Sequence, residues 1–435
     1  MAAVDTVDQA KLVLNAFAAI FQNNLTASEL VSWRKFDSEM NDRNALTVVE
    51  QVTPHYVVTH TNAVVQDLTA PGTQNSVYGS EQFKVQDIFG SSMGWQDFVK
   101  IRDIGAARES EALKGAALSL AEQIDAYILA YAVNASNNWL GTPGNSVSLY
   151  DDVASGYTRL KEEGAEDSDL RAVLTYGDKQ SLGSAVITDN ASLASLGEGV
   201  YRGGWDGKIA GVPTLFTQQL APLTTGTHGT STVNGANQNV NYKDVAISSA
   251  PGNFMTQTLI TSIGVGVETA LDGEVFTIAG VYGWDARLQA QKSNLQQFRV
   301  VGSVTAAGGA VTMRIFPAII IPTAFSNTAD LNANTAHATV SAAPANGAVI
   351  TWVTAASTTP KPRAILNKNA IVVSTADLIM PATGIGSRKA LTKVPLSVRM
   401  WQNSVFNTGE HQVRFDVALS ANVRDRRRIV RINGA

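Results

Sequence analysis

The clearest pattern along the chain is a helical repeat of apolar residues that starts shortly after residue 105. Between Ala106 and Ala135 the apolar positions fall three or four residues apart, at Leu113, Ala117, Leu120, Ile124, Tyr127 or Ile128, and Tyr131. This spacing puts them on one face of an α-helix. At a rise of 1.5 Å per residue the predicted helix is about 45 Å long, enough to cross a whole domain.

The N-terminal region, residues 1–44, predicts a helical arm. Thr6 and Gln9 have the spacing of a capping box ahead of a first helix, and Thr26 and Glu29 have it ahead of a second, shorter one. Two short helices bury little surface alone. We therefore expect the arm to dock on the rest of the chain or on a neighbouring molecule.

Between Ala45 and Phe98 the periodicity changes from helical to alternating. Apolar and polar residues alternate on both sides of a turn-rich stretch, which predicts a long two-stranded excursion with its tip at Pro71-Gly72. An isolated hairpin is marginally stable in water. The excursion is therefore expected to lie against another surface.

A second β-rich region occupies the middle of the chain. Residues 136–223 mix helical and strand patterns, and Thr224–Val353 is rich in Thr, Asn, Gly and Val, with hairpin signals at Asp272-Gly273 and Asn346-Gly347. The pattern predicts a β-barrel or β-sandwich. Because mixed structure resumes after Val353, this domain is inserted into another one, and the predicted fold class is α+β.

Composition narrows the functional classes. The chain has 435 residues, so two or more domains are expected. With 45% apolar and only 16% charged residues, composition leaves two interpretations open: a surface largely covered by partners, or a large Ala- and Gly-rich monomer with a plain surface. A net charge of −4 argues against a nucleic-acid binder that acts through its whole surface. Cysteine is absent, no signal peptide is evident, and the apolar run at Pro317–Pro322 is too short to span a bilayer, so a soluble protein is expected.

Candidate chemistry is sparse. Gly90–Gly94 matches the nucleophile-elbow pattern, which would make Ser92 a hydrolase nucleophile, but the strand before it is half polar and belongs to the predicted excursion. His55 and His60 are five residues apart in a strand-like stretch and would face opposite ways. We therefore predict no catalytic residue, no metal ligand and no cofactor, and a protein that is not an enzyme.

The one dense charge feature is a cluster of arginines near the C-terminus: Arg424, Arg426, Arg427, Arg428 and Arg431. Two roles are open for it, namely contact with nucleic acid and ion pairing with acidic residues of adjacent subunits. In an alternating strand the cluster would divide between two faces, whereas a nucleic-acid contact would favour a single face. The interface role is therefore preferred.

Three parts of the chain resemble a known family. They are Gly203–Thr224, Asp272–Val301, and the C-terminal segments Val340–Gly384 and Val394–Gly434. Together with the order of elements, they resemble the major capsid (coat) protein of tailed double-stranded DNA bacteriophages. The specific resemblance is to the coat-protein type of short-tailed phages, which has an inserted β-domain. The resemblance implies the tailed-phage major capsid fold of the Hong Kong 97 phage type.

That resemblance also implies a division of the chain. The expected segments are an N-terminal arm (1–44), an extended loop (45–98), a peripheral domain with a spine helix (99–135), the first part of an axial domain (136–223), the inserted β-barrel (224–353), the axial return (354–385) and the peripheral C-terminal strands (386–435).

The partners implied are chiefly other copies of the chain, arranged as pentamers and hexamers of a closed icosahedral shell. A scaffolding protein, a portal protein, packaged double-stranded DNA and possibly a decoration protein are expected as well, with no membrane. Assembly is expected in the cytoplasm of the host bacterium, and the product is a procapsid that matures into the virion.

Two alternatives remain open at this point. An encapsulin-type bacterial compartment shell shares the fold, although the inserted β-domain argues against it. A serine hydrolase with Ser92 as its nucleophile belongs to a different class and has weaker support.

Overall fold

The computed structural model describes residues 2–35, 47–52, 56, 79–95, 111–165, 169–189, 208–246, 254–322, 334–380, 385–405 and 410–435. By their internal contacts they form two compact units. Unit one consists of residues 1–48, 83–131 and 368–424, and unit two of residues 49–82, 132–367 and 425–435.

The helices are α1 (Ala2–Asn24), α2 (Glu111–Asn134), α3 (Tyr150–Glu162), α4 (Tyr176–Asp189) and α5 (Tyr242–Ala246), with 3-10 turns at Thr26–Glu29, Lys368–Ala370 and Arg426–Arg428. The strands are β1 (Ser32–Lys35), β2 (Thr47–Val52), β3 (Gly79–Lys84), β4 (Asp87–Trp95), β5 (Asn138–Leu140), β6 (Leu170–Leu174), β7 (Lys208–Ile209), β8 (Val212–Phe216), β9 (Ser231–Val233), β10 (Gln257–Ser262), β11 (Val267–Ala270), β12 (Val275–Asp285), β13 (Ala290–Val300), β14 (Val304–Ala307), β15 (Ala310–Phe316), β16 (Val349–Trp352), β17 (Arg363–Asn367), β18 (Ile371–Ala376), β19 (Ile385–Ala390), β20 (Ser397–Val405), β21 (Glu410–Val423) and β22 (Ile429–Ile432).

Unit one is built on a six-stranded sheet in the order β1-β18-β21-β20-β19, with β4 also paired to β21. Every residue of β21 from Phe415 to Val423 is buried, and Phe415 stacks on Phe17 of α1 with ring centroids 3.8 Å apart. Phe89 of β4 packs at 5.1 Å against Tyr127 of α2. The helices therefore cover the apolar face of this sheet.

The helical repeat predicted α2 correctly over the described residues. Its predicted stripe is buried at Leu113, Ala117, Leu120 and Ile124, and Ile128 is the buried one of the two alternatives Tyr127 and Ile128. The predicted start between residues 106 and 110 lies outside the described residues. None of the helices in the described ranges is both long and apolar enough to span a membrane.

The predicted second helix of the N-terminal arm was wrong. The chain makes a 3-10 turn at Thr26–Glu29 and then enters β1, which runs parallel to β18. The turn begins without a cap from its own residues. Instead, the carboxylate of Asp125 on α2 accepts hydrogen bonds from the backbone amides of Thr26 at 2.9 Å and Ala27 at 3.0 Å. A tertiary contact therefore took the place of the local capping box.

The predicted excursion of residues 45–98 is divided in the structure. β2 and β3 form a two-stranded sheet, whereas β4 joins the large sheet of unit one through β21. The predicted tip at Pro71-Gly72 lies outside the described residues.

Unit two contains a second six-stranded sheet in the order β5-β22-β17-β6-β8-β7. Its centre is organised by Asp178 of α4, whose two carboxylate oxygens each accept a 2.8 Å hydrogen bond from the guanidinium of Arg363. The same carboxylate accepts from the backbone amides of Val147 and Thr175. One buried ion pair therefore connects a helix, a central strand and two loops.

The predicted inserted β-domain is a closed barrel rather than a sandwich, in the order β10-β15-β13-β12-β16-β9. Its longest hairpin, β12–β13, falls within the stretch Asp272–Val301 that carried the resemblance. The interior is filled by aromatic and branched side chains, including Phe276, Phe298 and Ile315, each fully buried.

Two local predictions in this region were only half right. Gly273 and Gly347 adopt the positive φ angles that turns require, +92° and +76°. Their flanking strands, however, pair with strands distant in sequence: β11 with β14, and β16 with β9 and β12. The turn chemistry was therefore correct and the predicted hairpin pairing was not.

The C-terminal segment also departs from the predicted continuous strand. β21 ends at Val423, a 3-10 turn covers Arg426–Arg428, and β22 follows. β22 pairs with β17 and β5 in unit two, whereas β18, predicted as part of the axial return, pairs with β1 and β21 in unit one. Successive strands in the last third of the chain therefore belong to different units.

We predict that Asp125→Asn destabilises unit one by about 1–3 kcal/mol. Both carboxylate oxygens of Asp125 accept from backbone amides, whereas an asparagine would place an NH2 group, which is a donor, against one of these two amides. Chemical denaturation of the full chain should show the loss, and Glu122→Gln, on an exposed position of the same helix, should change stability little. Equal stabilities of the two variants would contradict the capping role.

We also predict that residues 224–353 fold when expressed alone, because the barrel closes on itself around its own core. The fragment should show one cooperative thermal transition and a β-type circular dichroism spectrum. Phe298→Ala should lower its stability by about 3–5 kcal/mol. A fragment without a cooperative transition would show that the barrel depends on the rest of the chain.

Candidate functional site

The candidate site is the place in unit two where the barrel meets the six-stranded sheet, which we call the seat of the barrel. Three consecutive polar residues, Ser136, Asn137 and Asn138, follow α2 there and are fully buried. The Ser136 hydroxyl donates to the carbonyl of Ile429 on β22 and accepts from the Asn138 amide at 3.1 Å. Neighbouring elements supply partners for part of this buried run: Asn137 Nδ2 donates to the Gln297 carbonyl, and Asn138 Oδ1 accepts from Arg159. Asn137 Oδ1 and Asn138 Nδ2 have no hydrogen-bond partner among the described residues.

Arg431 of β22 is the centre of the seat. Its side chain is 0% exposed, and its guanidinium lies 5.0 Å from the ring centroid of Trp139. It donates to four backbone carbonyls, those of Val133 (2.8 Å), Gly273 (2.7 Å), Asn134 (2.8 Å) and Ser136 (2.9 Å).

Two of these four carbonyls end α2, where helical hydrogen bonds leave acceptors unused. The positive charge also interacts favourably with the negative end of the helix dipole. Burial, with a smaller contribution from Arg299, lowers the pKa of Arg431 to about 9. The guanidinium therefore remains charged at neutral pH.

Gln297 of β13 makes a second contact in the seat. Its side-chain carbonyl accepts from the Trp139 amide at 2.7 Å, and its side-chain amide donates to the Trp139 carbonyl at 2.8 Å. The Gln297 side chain thus exchanges two hydrogen bonds with the backbone of Trp139 on β5, as a residue of a paired strand would. The barrel is fastened to the edge of the sheet by this exchange.

Two charged contacts from the barrel complete the seat. Arg299 donates to the carbonyl of Asn134 at 2.6 Å and pairs with Asp272 at 2.9 Å. Lys292 pairs at 3.1 Å with Glu163, which follows α3. With Gln297, three residues of β13 contact three separate elements, so the barrel is held at several points along one strand.

The remaining C-terminal arginines have different surroundings. Arg427 pairs with Asp425 through both carboxylate oxygens, at 3.1 and 3.2 Å, and Arg428 lies 3.4 Å from the same group. Burial acts to raise the pKa of Asp425, but the charges of Arg427 and, to a smaller degree, Arg428 outweigh it and hold this pKa below its ordinary value. Arg426 lies 5.2 Å from the ring centroid of Phe316, and Arg424 is exposed.

The five predicted interface residues therefore do not form one surface. The alternating-strand argument failed because a 3-10 turn interrupts the strand at Arg426–Arg428. Arg431 lies in the interior of its own chain, where it serves as a structural anchor. Arg424 is exposed, and Arg427 and Arg428 keep 42% and 31% of their side chains exposed.

The nucleophile-elbow prediction for Ser92 does not fit the structure. The elbow requires a sharp turn between a strand and a helix. Ser92 lies within β4, paired with Arg414 of β21, and its side chain is exposed on the sheet. The motif has a packing explanation instead: a side chain at Gly90 would collide with Asp416.

Histidine positions were predicted to be unrelated to one another. His55 and His60 lie outside the described residues. His228 is buried in unit two, 3.1 Å from Glu274 and stacked on Trp352. Within the described ranges, no group of three or more His, Cys, Asp or Glu residues is arranged to hold a metal ion.

Sequence reasoning missed the seat almost completely. Gln297 and Asn137 have no signature, because their partners are distant in sequence and are backbone groups. One signal was available, namely the Ser136-Asn137-Asn138 run directly after a long apolar helix, where a polar segment suggests a buried joint or a loop.

The sequence matches the model of a known family over residues 64–429, described as "P22 coat protein - gene protein 5". The match covers most of the chain. The chain belongs to the P22 coat protein family. It is a bacteriophage major capsid protein whose copies form an icosahedral shell, and its fold class is the α+β tailed-phage capsid type that the sequence predicted.

Three solved structures illustrate what this coat protein is similar to. The cyanophage P-SCSP1u capsid is 10% identical, with 93% of this chain and 86% of that chain covered and a TM-score of 0.43. The mature capsid of bacteriophage PhiM1 is 8% identical over 94% and 86%, with a TM-score of 0.41. The CUS-3 coat protein I-domain is 24% identical over 29% of this chain and 96% of that one, with a TM-score of 0.20.

No curated protein sequence matches the chain. Because the three TM-scores are low, family membership rests on the sequence match. That match favours neither the encapsulin alternative nor the hydrolase, and the family implies a structural, non-enzymatic role.

We predict that Gln297→Ala destabilises the coat protein by about 1–3 kcal/mol, because the buried amide and carbonyl of Trp139 lose their partners. Hydrogen exchange at the Trp139 amide should accelerate at the same time. Gln291→Ala, at an exposed position of the same strand, serves as the control. Unchanged protection of Trp139 in the Gln297 variant would exclude the fastening role.

We predict that Asp425 makes a small contribution to the free energy of unfolding and that this contribution is lost in acid. Its pKa is lowered in the folded state, so the stabilisation is present above the ordinary value near 3.8 and is lost as pH falls through the folded value. Because the pair is partly exposed, it contributes at most about 1 kcal/mol. Urea denaturation at several pH values should show a smaller acid loss for Asp425→Asn than for the wild type, and parallel pH curves would contradict this.

Proposed function

We propose that the two units correspond to the parts that the family resemblance implied. Unit one carries the peripheral domain, with α2 as the spine helix. Unit two carries the axial domain, built on the sheet of β5, β6, β17 and β22, together with the inserted barrel. The β2–β3 pair is the base of the extended loop that reaches over a neighbouring subunit.

Within this arrangement the barrel is an intramolecular brace. The support for this proposal is the seat of the barrel. Arg431 connects the Gly273 turn of the barrel to the end of α2, Gln297 connects β13 to β5, and Lys292 connects β13 to Glu163 after α3. These groups are buried or nearly so, and their loss leaves backbone groups without partners. A subunit braced in this way keeps its shape while its outer contacts with neighbours form and break.

The remaining partners follow from the role as a coat protein. The copies assemble as pentamers and hexamers in the host bacterial cytoplasm, on a scaffolding protein and with a portal protein at one vertex. The finished shell encloses double-stranded DNA, and a decoration protein is a further possible partner. The subunit has no catalytic role.

The observation that carries the function is the family match over residues 64–429. Electron microscopy of the purified protein tests it, with closed shells, tubes or sheets as the expected result. Double-stranded DNA inside particles isolated from infected cells distinguishes a phage capsid from a cargo-carrying compartment. A protein that stays monomeric at high concentration would overturn the assignment.

We further propose that Arg424 and Arg428 contribute to a subunit interface. Arg424 is exposed, and Arg428 keeps 31% of its side chain exposed while contacting Asp425 only at 3.4 Å. Arg426 lies against Phe316, and Arg427, although 42% exposed, donates to both carboxylate oxygens of Asp425. The two outward guanidinium groups are therefore available to carboxylates of an acidic neighbour.

We predict that an Arg424→Ala, Arg428→Ala double variant lowers the yield of empty shells severalfold, with an unchanged melting temperature of the unassembled subunit. Arg314→Ala, at an exposed position of the barrel, is the matched control. If empty shells form normally and only DNA packaging fails, in a salt-dependent way, the interface role is contradicted and these arginines contact DNA instead.

A further inference from the structure

Three Asn-Gly dipeptides occur in the chain, at Asn234-Gly235, Asn346-Gly347 and Asn433-Gly434, and an alanine follows each of them. Asparagine is a thermolabile residue, and a following glycine has no Cβ to shield its backbone nitrogen. All three dipeptides lie in the described part of unit two. Because the local sequence Asn-Gly-Ala is the same, differences in their reactivity in the folded chain come from the surrounding structure.

The reaction that threatens such a site is deamidation, and it needs only water. The backbone nitrogen of the glycine, after losing its proton to hydroxide, attacks the side-chain carbonyl carbon of the asparagine. The bond from that carbon to the side-chain nitrogen breaks, and the nitrogen takes a proton from water and leaves as ammonia. Water then opens the cyclic imide at either carbonyl, which gives aspartate or isoaspartate. A hydrogen bond donated by the glycine N–H, or a side chain that cannot rotate, slows the first step.

Asn433 is the most tightly held of the three. Its side chain is buried, its Oδ1 accepts from the Trp139 indole N–H at 3.0 Å, and its Nδ2 donates to the Asn145 carbonyl at 2.9 Å. A side chain fixed by both of its polar atoms cannot turn its carbonyl carbon toward the next backbone nitrogen. We therefore expect Asn433 to react slowest.

Asn346 is held at two points. Its Oδ1 accepts from the Gly235 N–H at 2.8 Å, and the N–H of Gly347, which would be its nucleophile, donates to the Val233 carbonyl at 2.8 Å. The Val233 amide donates in return to the Ala348 carbonyl at 2.9 Å, beside the pairing of β9 with β16. Asn346 is therefore protected by backbone hydrogen bonds as long as the barrel stays closed.

Asn234 has the weakest protection. It is exposed, and its side chain makes no hydrogen bond to another described residue. Its nucleophile is the Gly235 nitrogen, whose N–H is held by a side chain, the Oδ1 of Asn346, rather than by a backbone carbonyl. An exposed side-chain acceptor can rotate away without opening the barrel, and the Gly235 nitrogen is then free to react.

We propose that Asn234 is a spontaneous deamidation site of the barrel and that Asn346 sets its rate by holding the Gly235 amide. The modified residue comes directly after β9, the strand that closes the barrel between β10 and β16. Isoaspartate adds a methylene to the backbone there, next to the hydrogen bond from the Asn234 amide to the Ile260 carbonyl at 3.0 Å. Either product places a new negative charge on an exposed turn.

The test is peptide mapping by mass spectrometry of the folded full chain during incubation in mildly alkaline buffer. In the wild type we expect Asn234 to react fastest of the three asparagines. Asn346→Ala removes the acceptor of the Gly235 amide and should raise the Asn234 rate severalfold. The matched control, Asn346→Asp, keeps a carboxylate oxygen in the same place and should leave that rate at or below the wild-type rate. Hydrogen exchange at Gly235 should accelerate in the alanine variant and not in the aspartate variant.

Equal Asn234 rates in the wild type and in Asn346→Ala would overturn the role of Asn346. Faster reaction at Asn346 or Asn433 than at Asn234 in the folded wild type would overturn the site itself. Asn433 also reports on global opening: if its rate rises in Asn346→Ala, that variant is unfolding, and the order of the three rates in the wild type decides. In urea the three rates should converge, and rates in urea that keep the folded order would show that the structure does not cause it, which would overturn the proposal.

Discussion

The architecture of unit two depends on one buried charge. The Arg431 guanidinium satisfies the last carbonyls of α2, the carbonyl of the barrel's Gly273 turn and that of Ser136. It has no carboxylate ion-pair partner among the residues that the structure describes. Removing a charged group from water is costly, and here carbonyl dipoles rather than an ion pair compensate for the loss. Because one side chain on β22 holds both the end of α2 and the Gly273 turn of the barrel, displacing any one of these elements leaves the guanidinium without some of its acceptors.

This constraint separates two kinds of contact in the coat protein, those inside the subunit and those between copies. Strong, buried interactions lie inside the subunit, at Arg431, at Gln297 with Trp139, and in the Asp178–Arg363 pair. The surface carries few charges, and many modest contacts between copies can build a shell without trapping misassembled intermediates. A rigid subunit with weak outer contacts is a physical requirement for reversible assembly.

Periodicity was sufficient to predict α2 and the barrel, because both repeat their apolar residues at the spacing of the element they form. It failed where the chain changes direction. The C-terminal arginines were treated as one strand, although Asp425 caps a 3-10 turn there through the Arg427 amide. The second N-terminal helix failed because Asp125, about a hundred residues away, supplies the cap. Gln297 could not be predicted, because its partner is the backbone of a distant strand.

The most direct measurement of the central claim is the stability of Arg431→Lys. A lysine keeps the charge, but its single ammonium group cannot reach four carbonyls in the planar arrangement of a guanidinium. The account predicts a loss of about 3 kcal/mol or more, with faster hydrogen exchange at Gly273 and in the residues after α2. A variant within about 0.5 kcal/mol of the wild type, with unchanged exchange at both places, would contradict it.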